Sequence, residues 1–389
     1  MTRTDFLPFG RPNFSDEEIA AVTRVLRSGW VGMGAETIAF ELELAAYLGA
    51  PHVVTVNSCT SALFLSLLVS GVGQGDEVIC PSLTWCSTAN AVLYTGARPV
   101  FCDIEAETLC LNPESVLSKI TPRTKAVMVV HYGGLAVDVA ALRAALPAGV
   151  TIIEDAAHAF GARFADGTRV GSSGNLTCFS FYANKNLSTG EGGAIALNDD
   201  AMAERLRSLR QHALPVDAWK RFTHANTPLS SGHLTELGYK MNYTDLQAAI
   251  GRVQLRRQAE FEAVRLEIAR CYADGLKDVT PPLTFQQHCT HPYHARHLCV
   301  VQLSPDGMRM TRNELLAALR SRNVGAAIHY APLHGMPLYC GAAGPAALPV
   351  TDRVASSILT LPISASMTVE DAKYVTVQLQ TLMEKEPRR

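Results

Sequence analysis

One lysine stands out by its surroundings. Lys185 lies at the centre of CFSFYANKNLSTGEGGAIAL (Cys178 to Leu197), where an apolar strand signal (Cys178 to Tyr182) gives way to a polar turn. A glycine-rich segment (Gly190, Gly192, Gly193) then leads into a second apolar run. An amine at a strand exit can add to a carbonyl and form a Schiff base, provided desolvation or nearby cations keep part of it unprotonated. Taken alone, the same lysine also reads as an ordinary loop residue in water. Asp155 ends the run Thr151-Ile152-Ile153-Glu154 and is followed by Ala156-Ala157-His158. A carboxylate at a buried strand end needs a cationic or hydrogen-bonding partner. Asp155 reads equally as a helix N-cap, and His158 as a hydrogen-bonded core histidine.

The elements that must position these groups alternate between strand and helix. Ser15 caps a first helix running to Ser28, with acidic residues in its first turn and a stop at Gly29. The strand His52 to Val56 runs into Asn57-Ser58-Cys59-Thr60-Ser61-Ala62 and a helix through Leu68. Free amides and the Thr60 and Ser61 hydroxyls at such a junction suit an anion, although a plain helix cap uses the same residues. It is not a dinucleotide fingerprint, because no G-x-G-x-x-G follows the strand. Strands are predicted at Glu77 to Cys80, Pro99 to Asp103, Lys125 to Val130 and Val150 to Glu154, with helices between them. This is the pattern of an α/β fold with a mostly parallel central sheet covered on both faces. Ligands of such sheets sit at the carboxyl ends of the strands. There the chain places Thr60, Trp85, His131, Tyr132, Asp155, His158, Ser180 and Lys185.

Beyond a helix at Ala201 to His212, a polar stretch from Pro215 to Gly238 carries Trp219, Arg221 and His224 and reads as a loop near a site. One long helix is predicted from Thr244 to Leu276, leading out of the first domain. Signals at Leu298 to Leu303, Arg312 to Arg322, Ala326 to Tyr330 and Val369 to Met383 suffice for a small α/β domain. The predicted division is a large domain at 1–255 and a small one at 256–389.

Composition narrows the partners. With 48% hydrophobic and 18% charged residues and a formal charge of −2, the 389-residue chain has material for large cores and no broad basic footprint for nucleic acid. MTRTDFLPFGRPNF has charges and prolines where a secretory leader needs an apolar core, and the apolar run Ala62 to Val69 is too short to span a bilayer. Ten cysteines scattered through apolar runs read as buried free thiols, so a cytoplasmic protein without a membrane partner is expected. His288, His291, His294 and His297 recur every third residue, but Pro292 interrupts them and no carboxylate joins them. No metal site is expected.

NSCTSAL, PSLTW, IIEDAAHAFGA, FSFYANKNLSTGEGG and GYKMNYTDLQAAIG occur in this order. With these separations they resemble the nucleotide-sugar aminotransferases of the DegT/StrS type, within the fold-type-I pyridoxal 5'-phosphate (PLP) enzymes. The resemblance runs from Phe6 to the last helix. PSLTWCSTAN, ITPRTKAV and the HYGG loop are most similar to the branch that makes UDP-4-amino-4-deoxy-L-arabinose from a 4-keto pentose.

The resemblance implies that Lys185 carries PLP as the internal aldimine and shuttles the proton, that Asp155 pairs with the pyridine nitrogen, and that His158 lies near the ring oxygen. It implies further cofactor contacts from Cys59, Thr60, Ser61, Trp85 and Ser180, and from Asn242 of a second subunit. Trp30, Tyr182, His329, Tyr330 and His334 would meet the substrate, although HYAPLH also reads as a proline-containing turn. The implied reaction is ping-pong transfer from glutamate, leaving 2-oxoglutarate, to a UDP-, dTDP- or GDP-linked keto sugar, in a homodimer with shared sites. Two positions depart from the common pattern: His158 replaces the glutamine of many relatives, and Cys59 replaces glycine. A PLP-dependent sugar dehydratase would carry histidine at position 185, and a non-catalytic PLP-binding regulator would keep the cofactor without turnover. An NAD-dependent sugar reductase would share the alternation but lacks a reason for Lys185.

Overall fold

The short apolar runs assemble into one seven-stranded sheet. In this computed structural model, which describes residues 3–214, 234–304, 310–343 and 347–384, the strand order is β1 (His52–Val56), β7 (Gly193–Leu197), β6 (Leu176–Ser180), β5 (Thr151–Asp155), β4 (Thr124–Val130), β2 (Glu77–Pro81) and β3 (Arg98–Cys102). β7 runs antiparallel to β1 and β6, and every other neighbouring pair is parallel. β2, β6 and β7 are buried along their whole length, which is why they read as continuous apolar runs rather than alternating ones.

Helices cover both faces. α1 (Asp16–Ser28) opens with a capping box, Ser15 to Glu18, and closes on Gly29 at φ 75°. α2 (Ala35–Leu48) precedes β1, and α3 (Cys59–Val69), α4 (Cys86–Tyr94), α5 (Pro113–Leu117) and α6 (Val139–Ala145) are the crossovers that follow. Val54, Cys178 and Ile195 pack with α3 and with α7 (Asp200–Leu209), whereas Val53, Phe179 and Ala194 pack with Phe40 and Leu44 of α2. Adjacent strand residues therefore serve opposite cores, as the period of two requires.

A three-stranded antiparallel sheet of order β10 (Ile358–Leu361), β9 (Cys299–Leu303) and β8 (Leu283–Phe285) lies in the last third of the chain. The long helical run expected from Thr244 to Leu276 is two helices, α8 (Asp245–Arg256) and α9 (Gln258–Leu276), jointed at Arg257 with φ −91° and ψ 2°. The apolar period continues across the joint, so the sequence pattern hides it. α9, α10 (Arg312–Arg320) and α13 (Val369–Glu384) close a core around Tyr272, Leu315, Leu319 and Val375. Leu7 belongs to that core and bridges to Val324, so the chain begins by strapping its own C-terminal part. The strand expected at Ala326 to Tyr330 is reduced to a single bridge, Ala327 to Thr360. β8, β10, α11 (Pro337–Ala343) and α12 (Pro349–Ser357) were not legible. Most of the Pro215 to Gly238 stretch, with Trp219, Arg221 and His224, lies outside the described residues.

Candidate active site

A cavity of about 550 Å³ opens at the carboxyl ends of the strands. Cys59, Thr60, Trp85, Asp155, His158, Ser180, Tyr182, Lys185, His329 and Tyr330 line it, together with Thr84, Ser87 and Gly192. Four of them stand at element ends: Asp155 closes β5, Ser180 closes β6, Cys59 opens α3 and Trp85 precedes α4.

No helix follows Asp155, so it is not a helix cap. Its Oδ2 accepts from the Thr88 hydroxyl at 2.8 Å and its Oδ1 from the Ala157 amide at 3.2 Å. Burial pushes its carboxyl pKa up, against these two donors and the positive charge of Lys185. Lys185 sits in the turn after β6, its amide bonded to the Tyr182 carbonyl at 2.9 Å. Its amine end is buried, and burial lowers its pKa from 10.5 to about 8, although Cys59 and Asp155 act the other way. That is the partly deprotonated amine that Schiff-base chemistry needs.

The glycines beyond Lys185 bring backbones together. A Cβ at Gly193 would lie 2.6 Å from Ser58 C, 2.7 Å from Cys59 N and 2.8 Å from Phe179 O. Only a residue without a side chain lets β7 pass the start of α3 at this distance. There Ser58 caps α3 by accepting from the Ser61 amide at 3.1 Å, and the Thr60 hydroxyl meets Ser87 Oγ at 2.9 Å. The Cys59 thiol turns to the Cys178 carbonyl at 3.8 Å.

His158 is buried. The Gly133 amide donates to its Nδ1 at 3.4 Å, which leaves the ring hydrogen on Nε2 to donate to the Tyr330 oxygen at 3.0 Å. Tyr330 also stacks on it with ring centroids 6.0 Å apart. Burial beside Lys185 and His329 lowers the His158 pKa well below 6.5, so it is a neutral donor. Trp85 is 59% exposed and Tyr182 47%, giving the cavity mouth two flat, solvent-facing rings. His329 Nδ1 lies 2.9 Å from Thr360 Oγ1, its carbonyl accepts from the Tyr132 hydroxyl, and burial lowers its pKa to about 4.

Four expected contact residues do not line this chain's cavity, and of these Asn242 is expected at the site of a second subunit rather than at its own. Trp30 donates to the Met33 carbonyl at 3.1 Å, and Ser61 Oγ to Asn57 at 2.7 Å. Asn242 Nδ2 donates to the Tyr243 carbonyl at 3.1 Å. His334 spans Ser82 Oγ at 2.7 Å and Asp352 at 3.1 Å. Two residues escaped sequence reasoning, Thr88 on Asp155 and His297, whose Nε2 is 3.3 Å from Lys185 Nζ. Spacing groups His297 with its neighbouring histidines; its place directly before the apolar run Leu298 to Leu303 is the available signal. Among the described residues no group of three or more His, Cys, Asp or Glu side chains is placed to hold a metal.

The residues fit PLP. Asp155 is a buried carboxylate whose burial calls for a cation, and a pyridinium N–H supplies one. The desolvated Lys185 amine faces the same space, and the start of α3 with Thr60 and Ser180 offers a phosphate cradle.

Comparison with known proteins agrees. The model of the DegT/DnrJ/EryC1/StrS aminotransferase family matches residues 12–380. The chain is 41% identical over 381 residues to the spore coat polysaccharide biosynthesis protein SpsC of Bacillus subtilis, covering 96% of each. Among solved structures it resembles the aminotransferase TlmJ of Streptoalloteichus hindustanus (34% identity, 98% of each chain, TM-score 0.87). It also resembles the PLP form of the putative sugar aminotransferase Spr1654 of Streptococcus pneumoniae (28% identity, 97% of this chain and 99% of that one, TM-score 0.88). The fold is thus that of the type I PLP enzymes, and the chain belongs to the DegT/DnrJ/EryC1/StrS family as a PLP-dependent sugar aminotransferase.

Proposed function

We propose that the chain moves an amino group from glutamate to C4 of a keto sugar carried on a UDP, dTDP or GDP nucleotide, by a ping-pong reaction in which 2-oxoglutarate leaves before the sugar is aminated. The observation that carries this reading is Lys185, a desolvated amine in one cavity with a buried carboxylate. It also speaks against the dehydratase alternative, which resembles this family with histidine at that position. SpsC, named for polysaccharide biosynthesis, and Spr1654, named as a putative sugar aminotransferase, support a sugar substrate.

When bound, PLP supplies an electron sink through its protonated ring. The chain's own side chains do the rest. Asp155, held by Thr88 and Ala157, keeps a proton on the ring nitrogen through its carboxylate oxygens. Lys185 Nζ would hold the aldehyde carbon of PLP at rest; once the incoming amine displaces it, the freed Nζ would be the group that takes the proton from the carbon bearing the departing amine and gives it to the former aldehyde carbon. His158 takes the Gly133 amide on Nδ1 and gives its Nε2–H to the Tyr330 oxygen, which leaves the hydrogen of the cavity-lining Tyr330 hydroxyl to donate. The amides at the start of α3, with Thr60 and Ser180, bind the phosphate, while Trp85 and Tyr182 offer flat surfaces to ring and sugar. Cys59 holds its thiol against β6 rather than yielding the space a glycine would.

Purified protein with glutamate and a panel of 4-keto and 3-keto nucleotide sugars tests this. Amination of a 4-keto member, with 2-oxoglutarate released in equal amount, is expected. Amination of 3-keto sugars alone would move the position, and cofactor binding without turnover on any member would favour the regulator.

A further inference from the structure

The histidine beside Lys185 leaves one of its ring nitrogens unpartnered among the described residues. His297 is 3% exposed, and its Nε2 lies 3.3 Å from Lys185 Nζ. Its other nitrogen, Nδ1, is buried without a hydrogen-bond partner among the described residues. A buried imidazole retained for the fold alone has both nitrogens satisfied. His294 in the same segment shows that case: its Nδ1 accepts from the Arg296 amide at 2.9 Å and its Nε2 meets Gln286 Oε1 at 3.3 Å. His297 meets Lys185 instead, with the His158 ring at a centroid distance of 4.6 Å on its flank.

We propose that His297 is the positioning residue for Lys185: its bare Nε2 accepts an N–H from the ε-amine whenever that amine is free, and so aims the amine's lone pair into the cavity. The inference rests on Lys185 being the residue that carries PLP. A bare Nε2 can accept from Lys185 as amine or as ammonium, whereas an Nε2–H could serve the neutral amine alone. The bond therefore survives both states of Lys185 only with the imidazole hydrogen on Nδ1. No proton has to leave Lys185 for this; the hydrogen bond orients the group and favours its ammonium form slightly. The neighbourhood keeps His297 uncharged. Burial, then Lys185, His158, Arg265 and His329, all lower its pKa well below 6.5. Facing Lys185 are Cys59 and Asp155, whose negative forms oppose the effect of burial.

The test uses the whole protein stripped of PLP, and follows the absorbance of PLP becoming attached to Lys185 across pH. In the wild type the rate rises with pH through a midpoint near the Lys185 value of about 8. In His297→Phe, which fills the space but accepts nothing, the attachment rate should fall about tenfold, or ~1.4 kcal/mol for one hydrogen bond, and the midpoint should move down. In His297→Gln, whose side-chain oxygen can accept, the rate should return to within about threefold of wild type. A folded His297→Phe with wild-type rate and midpoint overturns the proposal. Should that variant not fold, nitrogen-15 spectra of histidine-labelled wild type decide. The signal missing in His297→Gln should show hydrogen on Nδ1 and none on Nε2 between pH 6 and 8, and hydrogen on Nε2 overturns the proposal. Lys185→Ala separates the two readings, because attachment persisting in that variant sinks the assignment of Lys185 itself, whatever His297 does.

Discussion

At the scale of single residues, the site depends on two buried groups whose charges burial disfavours. Burial lowers the Lys185 pKa from 10.5 to about 8. Between those values the folded, cofactor-free protein binds fewer protons here than the unfolded chain, so stability must rise with pH across that interval. Below pH 8 the folded state holds a buried ammonium and the full penalty applies; above 10.5 both states are neutral and it is gone. Denaturation at several pH values should thus show a gain on the order of 3 kcal/mol from pH 8 to 10.5 in the wild type relative to Lys185→Met, which lacks the group. Parallel curves for the two proteins would mean that the amine is well solvated. Asp155 carries the complementary prediction. Asp155→Asn keeps the shape and the Thr88 neighbour but cannot hold a proton on the ring nitrogen. It should still yield a pyridoxyl-labelled Lys185 after borohydride reduction, while the half-reaction with glutamate slows by a hundredfold or more, on the order of a lost acid–base group. A half-reaction at the wild-type rate would reduce Asp155 to a structural residue.

Elements place these groups by how closely their backbones approach. Gly193 lets the first residue of β7 lie against the junction of Ser58 and Cys59, and the atoms a Cβ would strike there are backbone atoms that no rotamer change can move. Gly193→Ala should therefore lower stability by about 1–3 kcal/mol and weaken PLP retention, because the start of α3 is displaced. Thermal unfolding and dialysis of the holoenzyme measure the two effects, and an unshifted melt would show that β7 and α3 can part without cost. On the far side of β1 a buried ion pair fixes the same strand edge. Arg210 reaches Glu41 of α2 at 2.5 Å and the Thr55 carbonyl at 2.6 Å, so α2, β1 and the end of α7 are tied before the cavity begins. Removing one partner of such a pair strands the other charge, which costs more than the pair contributes.

The whole molecule bears on how many chains make a site. Asn242 lies outside the cavity lining of its own chain, and Ile19, Leu26, Ile38 and Leu42 are exposed apolar residues on α1 and α2. We expect a homodimer in which Asn242 serves the neighbour's phosphate. Lys185→Ala and Asn242→Ala chains, each impaired alone, should regain activity when mixed and refolded together, because one site of each mixed dimer then carries neither lesion. An active protein that sediments as a monomer would overturn the shared site. The second core belongs to the same scale: Leu7 is packed among Tyr272, Leu315 and Val375, so the first residues help to close the last part of the chain.

The sequence alone settled what is local. Short apolar runs between turn signals read as strands, Ser15 before a row of acidic residues read as a helix start, and the order of the motifs around Asp155 and Lys185 carried the family resemblance. Such features depend on neighbours a few residues apart, where spacing and side-chain chemistry are read directly. Tertiary structure decided what depends on distant partners. His297 is 112 residues from Lys185, and Tyr330 is 172 from His158, which it orients. Thr88 meets Asp155 across 67 residues, and α8 and α9 part at Arg257 although their apolar period runs on. A hydrogen bond or a helix joint of this kind is chosen by the packing of whole elements against one another. No window of the chain contains both sides of that choice.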